Sequence, residues 1–139
     1  MPHISLYAIQ QVLAIVSFLL ARVGYAGYTP TFGPSLDQVW LGYLTVGGWL
    51  IILPAILIGL LLGDQVAWRI DSLLSIVGAC LYLSSGSCAI SYYSSIINNK
   101  MRETGLVLGS FCIITGLVMV ADTVMVVMVY GRKGRAIAK

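Results

Sequence analysis

An all-α fold, an integral membrane four-helix bundle, is predicted by three observations. Hydrophobic residues make up 59% of the 139-residue chain and charged residues only 9%, against about 25% charged in ordinary soluble domains. A soluble fold of this size leaves roughly a third of the unfolded chain's surface exposed, so such a composition calls for lipid as solvent. The apolar residues also fall into four long uninterrupted runs joined by short polar links.

The first run extends over residues 4–24, from Ile4 to Gly24. Its n-region Met1-Pro2-His3 has no Lys or Arg, and the run exceeds the 7–15 apolar residues of a signal-peptide core, so a retained helix is expected. Gly24, Gly27, Pro30, Gly33 and Pro34 then break the chain. The second run covers 38–62, with Pro54 removing one backbone donor and predicting a kink. Gly63-Asp64-Gln65 links it to the third run, 66–97, and Asn98 to Glu103 links that to the fourth, 105–130.

Each run reaches the roughly 20 residues that cross a 30 Å hydrocarbon layer as helix. Lipid leaves no water for unpaired backbone groups, which requires helices here; continuous rather than alternating apolar character excludes a barrel. The third run is longer than needed and predicts tilt or projection. Short links force antiparallel neighbours. One domain over 1–139 is expected, without repeats or linkers.

The formal net charge of +3 rests on a C-terminal cluster, Arg132, Lys133, Arg135 and Lys139. A nucleic-acid binder would present a basic stripe on a folded face; a short flank behind an apolar run points to a membrane surface, with no nucleic acid as partner. With four spans both termini share a side. Cytoplasmic termini place Arg69 and that cluster inside, and Arg22, Lys100 and Arg102 outside, which the positive-inside rule favours.

Materials for catalysis are sparse. The one histidine, His3, is terminal, and no Cys-x-x-Cys, Walker or dinucleotide motif is present. Cys80, Cys88 and Cys112 lie within predicted helices, where cysteine acts as a small apolar packing residue. No cofactor is expected and no enzyme. Loops without cysteine argue against claudin and tetraspanin relatives.

Intramembrane polar residues carry the most information, because each is costly. Asp122 lies ten residues before Arg132, about 15 Å by the helical rise and near mid-depth. Placing it there costs about 2.5–3.5 kcal/mol. It serves either as a proton or cation site or as a hydrogen-bonded anchor of the fourth helix, with Gln10 and Gln11 as candidate partners. Asp71 begins the third helix, where a carboxylate favours the helix N-terminus. Gly59-x-x-x-Gly63 and Gly105-x-x-x-Gly109, extended by Gly116, predict close helix packing. Ser84, Ser87, Ser91 and Ser95 form one stripe on the third helix, expected to bond their own i−4 carbonyls or pack against a neighbouring helix or, alternatively, to line a pore.

The stretch Arg102-Glu103-Thr104-Gly105-Leu106-Val107-Leu108-Gly109-Ser110-Phe111-Cys112, continuing through Gly116 to Ala121-Asp122-Thr123-Val124, resembles the last helix of the snakeskin proteins of insects. Arg22-Val23-Gly24-Tyr25 and Ser75-Ile76-Val77-Gly78-Ala79 are similar too. The resemblance implies a small MARVEL-like tetraspan protein of smooth septate junctions at the epithelial plasma membrane. It implies work with other junctional membrane proteins to assemble a paracellular barrier. Such a protein acts by its surfaces: lipid-facing ridges that pack partner helices or a second copy, and an extracellular loop. Tyr25, Tyr28 and Phe32 are the candidate contacts of that loop. The alternative is a small ion or solute transporter, or a channel subunit, using Asp122.

Overall fold

Continuous apolar sequence that must close its own backbone hydrogen bonds gives four α-helices: α1 (Pro2–Val23), α2 (Leu36–Leu61), α3 (Trp68–Ser94) and α4 (Asn99–Ile137). The computed structural model describes residues 2–23, 31–63 and 67–137, with the side chains of 2–4, 134 and 137 excepted. All four helices are long and apolar enough to cross a membrane, over Ser5–Val23, Leu36–Leu61, Trp68–Ser94 and Asn99–Lys133. Leu44, Ile51, Leu73 and Leu117 point outward around the bundle, with Ile51 75% exposed. An apolar girdle of that extent contacts the lipid bilayer rather than water.

The helices form a ring in which α1 touches α2 and α4, while α3 touches α2 and α4, the α3–α4 contact being the most extensive. Buried positions recur every three and four residues on every helix. On α3 they include Ser72, Ser75, Ala79, Tyr82, Gly86, Ala89 and Tyr93. On α1 they are Tyr7, Gln10, Ala14, Ser17 and Ala21. A 3.5-residue repeat keeps one face on the neighbour and is the periodicity of left-handed bundle packing. On α1 and α3 the buried stripe is small, polar or aromatic, while the lipid face takes the long aliphatics. Lipid tails match leucine in polarity, so close approach and hydrogen bonding select what goes inside.

The helix ends correct two expectations. The fourth helix, 39 residues, is the longest rather than the third, 27 residues. Asn98–Glu103 is not a link: the Asn98 carbonyl accepts the Arg102 N–H at 2.9 Å and α4 starts at Asn99. Lys, Arg and Glu are good helix formers, so loss of hydrophobicity does not end a helix. For the same reason α4 runs on through the basic flank to Ile137. Ser35 caps α2, its hydroxyl accepting the Gln38 N–H at 3.3 Å.

Candidate functional site

Asp122 is completely buried on α4. The Ser75 hydroxyl of α3 donates to its Oδ2 at 3.5 Å. Tyr7, one turn before Gln10 on α1, reaches across the ring and donates its hydroxyl to Asp71 Oδ1 on α3. Asp71 and Ser75 stand one turn apart on α3. The Tyr7–Asp71 and Ser75–Asp122 bonds thus join α1, α3 and α4 through one polar face of α3. Asp71 is half-buried, and it acts through Tyr7 as well as at the helix N-terminus.

The depth of Asp122 follows from a marker at the bundle's end. Trp68 at the start of α3 stacks on Tyr130 of α4, with centroids 6.0 Å apart and planes 7° from parallel. Aromatic residues favour the membrane interface. Asp122 precedes Tyr130 by eight residues, about 12 Å along the helix, and so falls a few ångströms short of the midplane.

Among the described residues the hydrogen bond to Asp122 comes from Ser75. Gln10 is 1% exposed, and its amide nitrogen makes no hydrogen bond among the described residues. Gln11 is half-buried, with its side-chain carbonyl likewise unbonded among the described residues. Ser75 supplies the bond because it faces α4 across the tight α3–α4 seam, whereas α1 approaches α4 less extensively.

Glycine builds that seam. A Cβ at Gly109 would lie 3.1 Å from the Gly86 carbonyl oxygen, and one at Gly86 would lie 2.9 Å from the Gly109 carbonyl. Gly116 stands in the same relation to the Ala79 carbonyl, at 3.3 Å, and Gly105 lies under the Tyr93 ring. Gly59 and Gly63 do not share this role. Among the described residues, no atom beyond their own stretch of helix lies within 4 Å of either prospective Cβ. Gly63 has φ +87° and ends α2, its N–H donating to the Leu60 carbonyl at 3.2 Å; this is a left-handed helix terminus, for which glycine is suited. The sequence pattern also missed Gly42, which lies under the Phe32 ring, and Gly78, which faces Trp49 and Met119.

Phe32 is a correction as well. It is fully buried against Gly42 and edge-on to Tyr43, with centroids 5.7 Å apart. The neighbouring Thr31 N–H donates to the Tyr93 hydroxyl at 2.6 Å. The segment before α2 is therefore stitched to α3, and Phe32 is a core residue instead of an extracellular contact. Tyr25 and Tyr28 lie outside the described residues.

The serine stripe lines neither a neighbouring helix nor a pore within the bundle, and bonds its own backbone, the other outcome expected of it. Ser84, Ser87, Ser91 and Ser95 are all exposed, with Ser87 donating to the Leu83 carbonyl at 2.7 Å and Ser95 to that of Tyr92 at 2.8 Å. Backbone bonding of this kind lets serine face lipid. The buried serines of α3 are Ser72, Ser75 and Ser85, and Ser85 meets Thr45 of α2 at 3.3 Å. Of the three free cysteines, Cys112 is buried and Cys80 exposed.

No protein-family profile matches the chain, and no solved structure matches it. A stretch of 69 residues is 26% identical to the protein named snakeskin of Drosophila melanogaster. The match covers 45% of this chain and 43% of the relative's length. The chain is a multi-pass membrane protein with a distant likeness to snakeskin over that stretch.

Proposed function

We propose that the protein is a non-enzymatic membrane scaffold of epithelial cell junctions, contributing to septate junction assembly and the paracellular barrier. The distant likeness to snakeskin carries this reading. Its partners are other junctional membrane proteins and a second copy of itself, packed laterally in the plasma membrane, with both termini cytoplasmic. The architecture is compatible with action by surfaces. The interior is spent on helix packing, and the outward faces are broad, apolar and, along α3, lined with small hydroxyls. The sequence offers no nucleophile–base pair or metal-ligand set for chemistry. A tagged copy expressed in an epithelium tests the proposal. A lateral belt at cell–cell contacts is expected, and confinement to intracellular vesicles would overturn it.

A second reading, a small ion or solute transporter or channel subunit, draws support from the buried polar face that carries Tyr7, Asp71, Ser75 and Asp122. Ionisable groups at membrane depth often mark ion paths. Ion flux from the purified protein in liposomes, abolished by Asp122→Asn, would select it.

A further inference from the structure

The two ends of the bundle differ in charge. Where α3 begins and α4 ends, the described residues include Arg69, Arg132, Lys133 and Arg135 against Asp71, and the sequence adds Asp64 between α2 and α3 and Lys139 after α4, five basic residues against two acidic. The Asp71 carboxylate accepts the Tyr7 hydroxyl inside the bundle. At the opposite end Arg22, Lys100 and Arg102 stand beside Asp37 and Glu103. All four basic side chains described at the first end are exposed.

Their height decides what they meet. The Trp68–Tyr130 stack marks the edge of the hydrocarbon. Arg132, Lys133 and Arg135 follow Tyr130 by two, three and five residues, which is about 3, 4.5 and 7.5 Å further along the helix. The headgroup layer on each side is about 5–8 Å thick. The Arg69 guanidinium lies over the Trp68 ring, 5.5 Å from its centroid, at the same level. Because α4 stays helical to Ile137, these side chains are held in the phosphate layer and not carried on a tail into water.

We propose that this end of the bundle is a binding surface for the headgroups of anionic phospholipids, with the phosphates paired to Arg132, Lys133, Arg135 and Arg69. Guanidinium groups match phosphate oxygens in a fork, and the aromatic pair fixes their depth. The inference is independent of the junctional reading: it follows from charge and height alone, on whichever side of the membrane this end lies.

The test uses the full chain in detergent, titrated with short-chain phosphatidylserine or phosphatidylcholine in mixed micelles. Each basic residue near an anionic surface contributes about five-fold in affinity. Combining Arg132→Gln, Lys133→Gln and Arg135→Gln should lower the preference for phosphatidylserine by one to two orders of magnitude at low salt, and added salt should erode the parent's preference. The pair Arg132→Lys and Arg135→Lys keeps the charge but loses the fork, and should fall between the parent and the Gln variant, nearer the parent. Inorganic phosphate at millimolar concentration should not displace the lipid. An unchanged preference in the Gln variant would overturn the proposal. So would displacement by phosphate, which makes the site one for free anions, or tighter binding of a soluble polyglutamate peptide, which makes it one for an acidic protein segment.

Discussion

Replacing Gly109 by alanine adds one methyl group where the α3–α4 seam has no room. The new Cβ would lie 3.1 Å from the Gly86 carbonyl oxygen, 3.3 Å from the Ile90 amide nitrogen and 2.6 Å from Ile90 Cγ1. The Ile90 side chain can rotate away. The two backbone atoms move only if α3 and α4 separate by a few tenths of an ångström. Overpacking of this kind costs about 1–3 kcal/mol, and alanine returns about 1 kcal/mol of helix propensity. The net loss is about 0–2 kcal/mol. Gly59→Ala is the matched control, because among the described residues nothing beyond its own stretch of helix lies within 4 Å of its Cβ and only the propensity gain of about 1 kcal/mol remains. The substitutions are chemically identical, so their effects on the unfolded chain cancel. Unfolding midpoints in mixed detergent micelles, followed by circular dichroism, should therefore differ by about 1–3 kcal/mol in favour of Gly59→Ala. Gly109→Leu adds three further heavy atoms and should disrupt the pair outright. Equal shifts for the two alanine variants would refute the account of the seam.

Four other outcomes are expected. Asp122→Asn keeps the size and the Ser75 bond and should fold in normal yield; Asp122→Leu loses that bond at a cost of about 0.6 kcal/mol, with part of the insertion penalty relieved. Tyr7→Phe removes the donor to Asp71 and should destabilise by about 1–3 kcal/mol, whereas Tyr130→Phe, at an exposed ring, should melt like the parent. Phe32→Ala empties the space over Gly42 and should cost about 3–5 kcal/mol; a normal melting curve with lost cell–cell adhesion would return Phe32 to the surface. With Cys80, Cys88 and Cys112 replaced, a cysteine at Thr31 should label from outside intact cells and one at Lys139 should not, and labelling of Lys139→Cys from outside overturns cytoplasmic termini.

The four helices were legible because length and hydropathy alone specify a span. Their ends were less so: Asn99 to Glu103 is polar yet helical, and hydropathy carries no information on whether a polar segment keeps its backbone bonds. Packing was legible where it combined spacing with small size, as at Gly105, Gly109 and Gly116. The pattern misled at Gly63, since a glycine four residues after Gly59 also suits a helix terminus. A stronger signal lay in the three-and-four spacing of Tyr7, Gln10, Ala14, Ser17 and Ala21, small and polar residues recurring through an apolar helix. In lipid that repeat, and not the aliphatic one, marks the inner face. It separates buried Ser75 and Ser85 from exposed Ser84 and Ser87. The Tyr7–Asp71 bond joins residues 64 positions apart across the ring, and no local pattern encodes a contact of that kind.

A junctional scaffold, as proposed above, does not conduct ions through its polar interior. Paracellular tracer flux across an epithelium depleted of the protein measures this most directly. Flux should rise on depletion and return to normal when either the parent or Asp122→Asn is restored, each gathered in a lateral belt. Unchanged flux on depletion, or rescue by the parent but not by a normally folded Asp122→Asn, would contradict it.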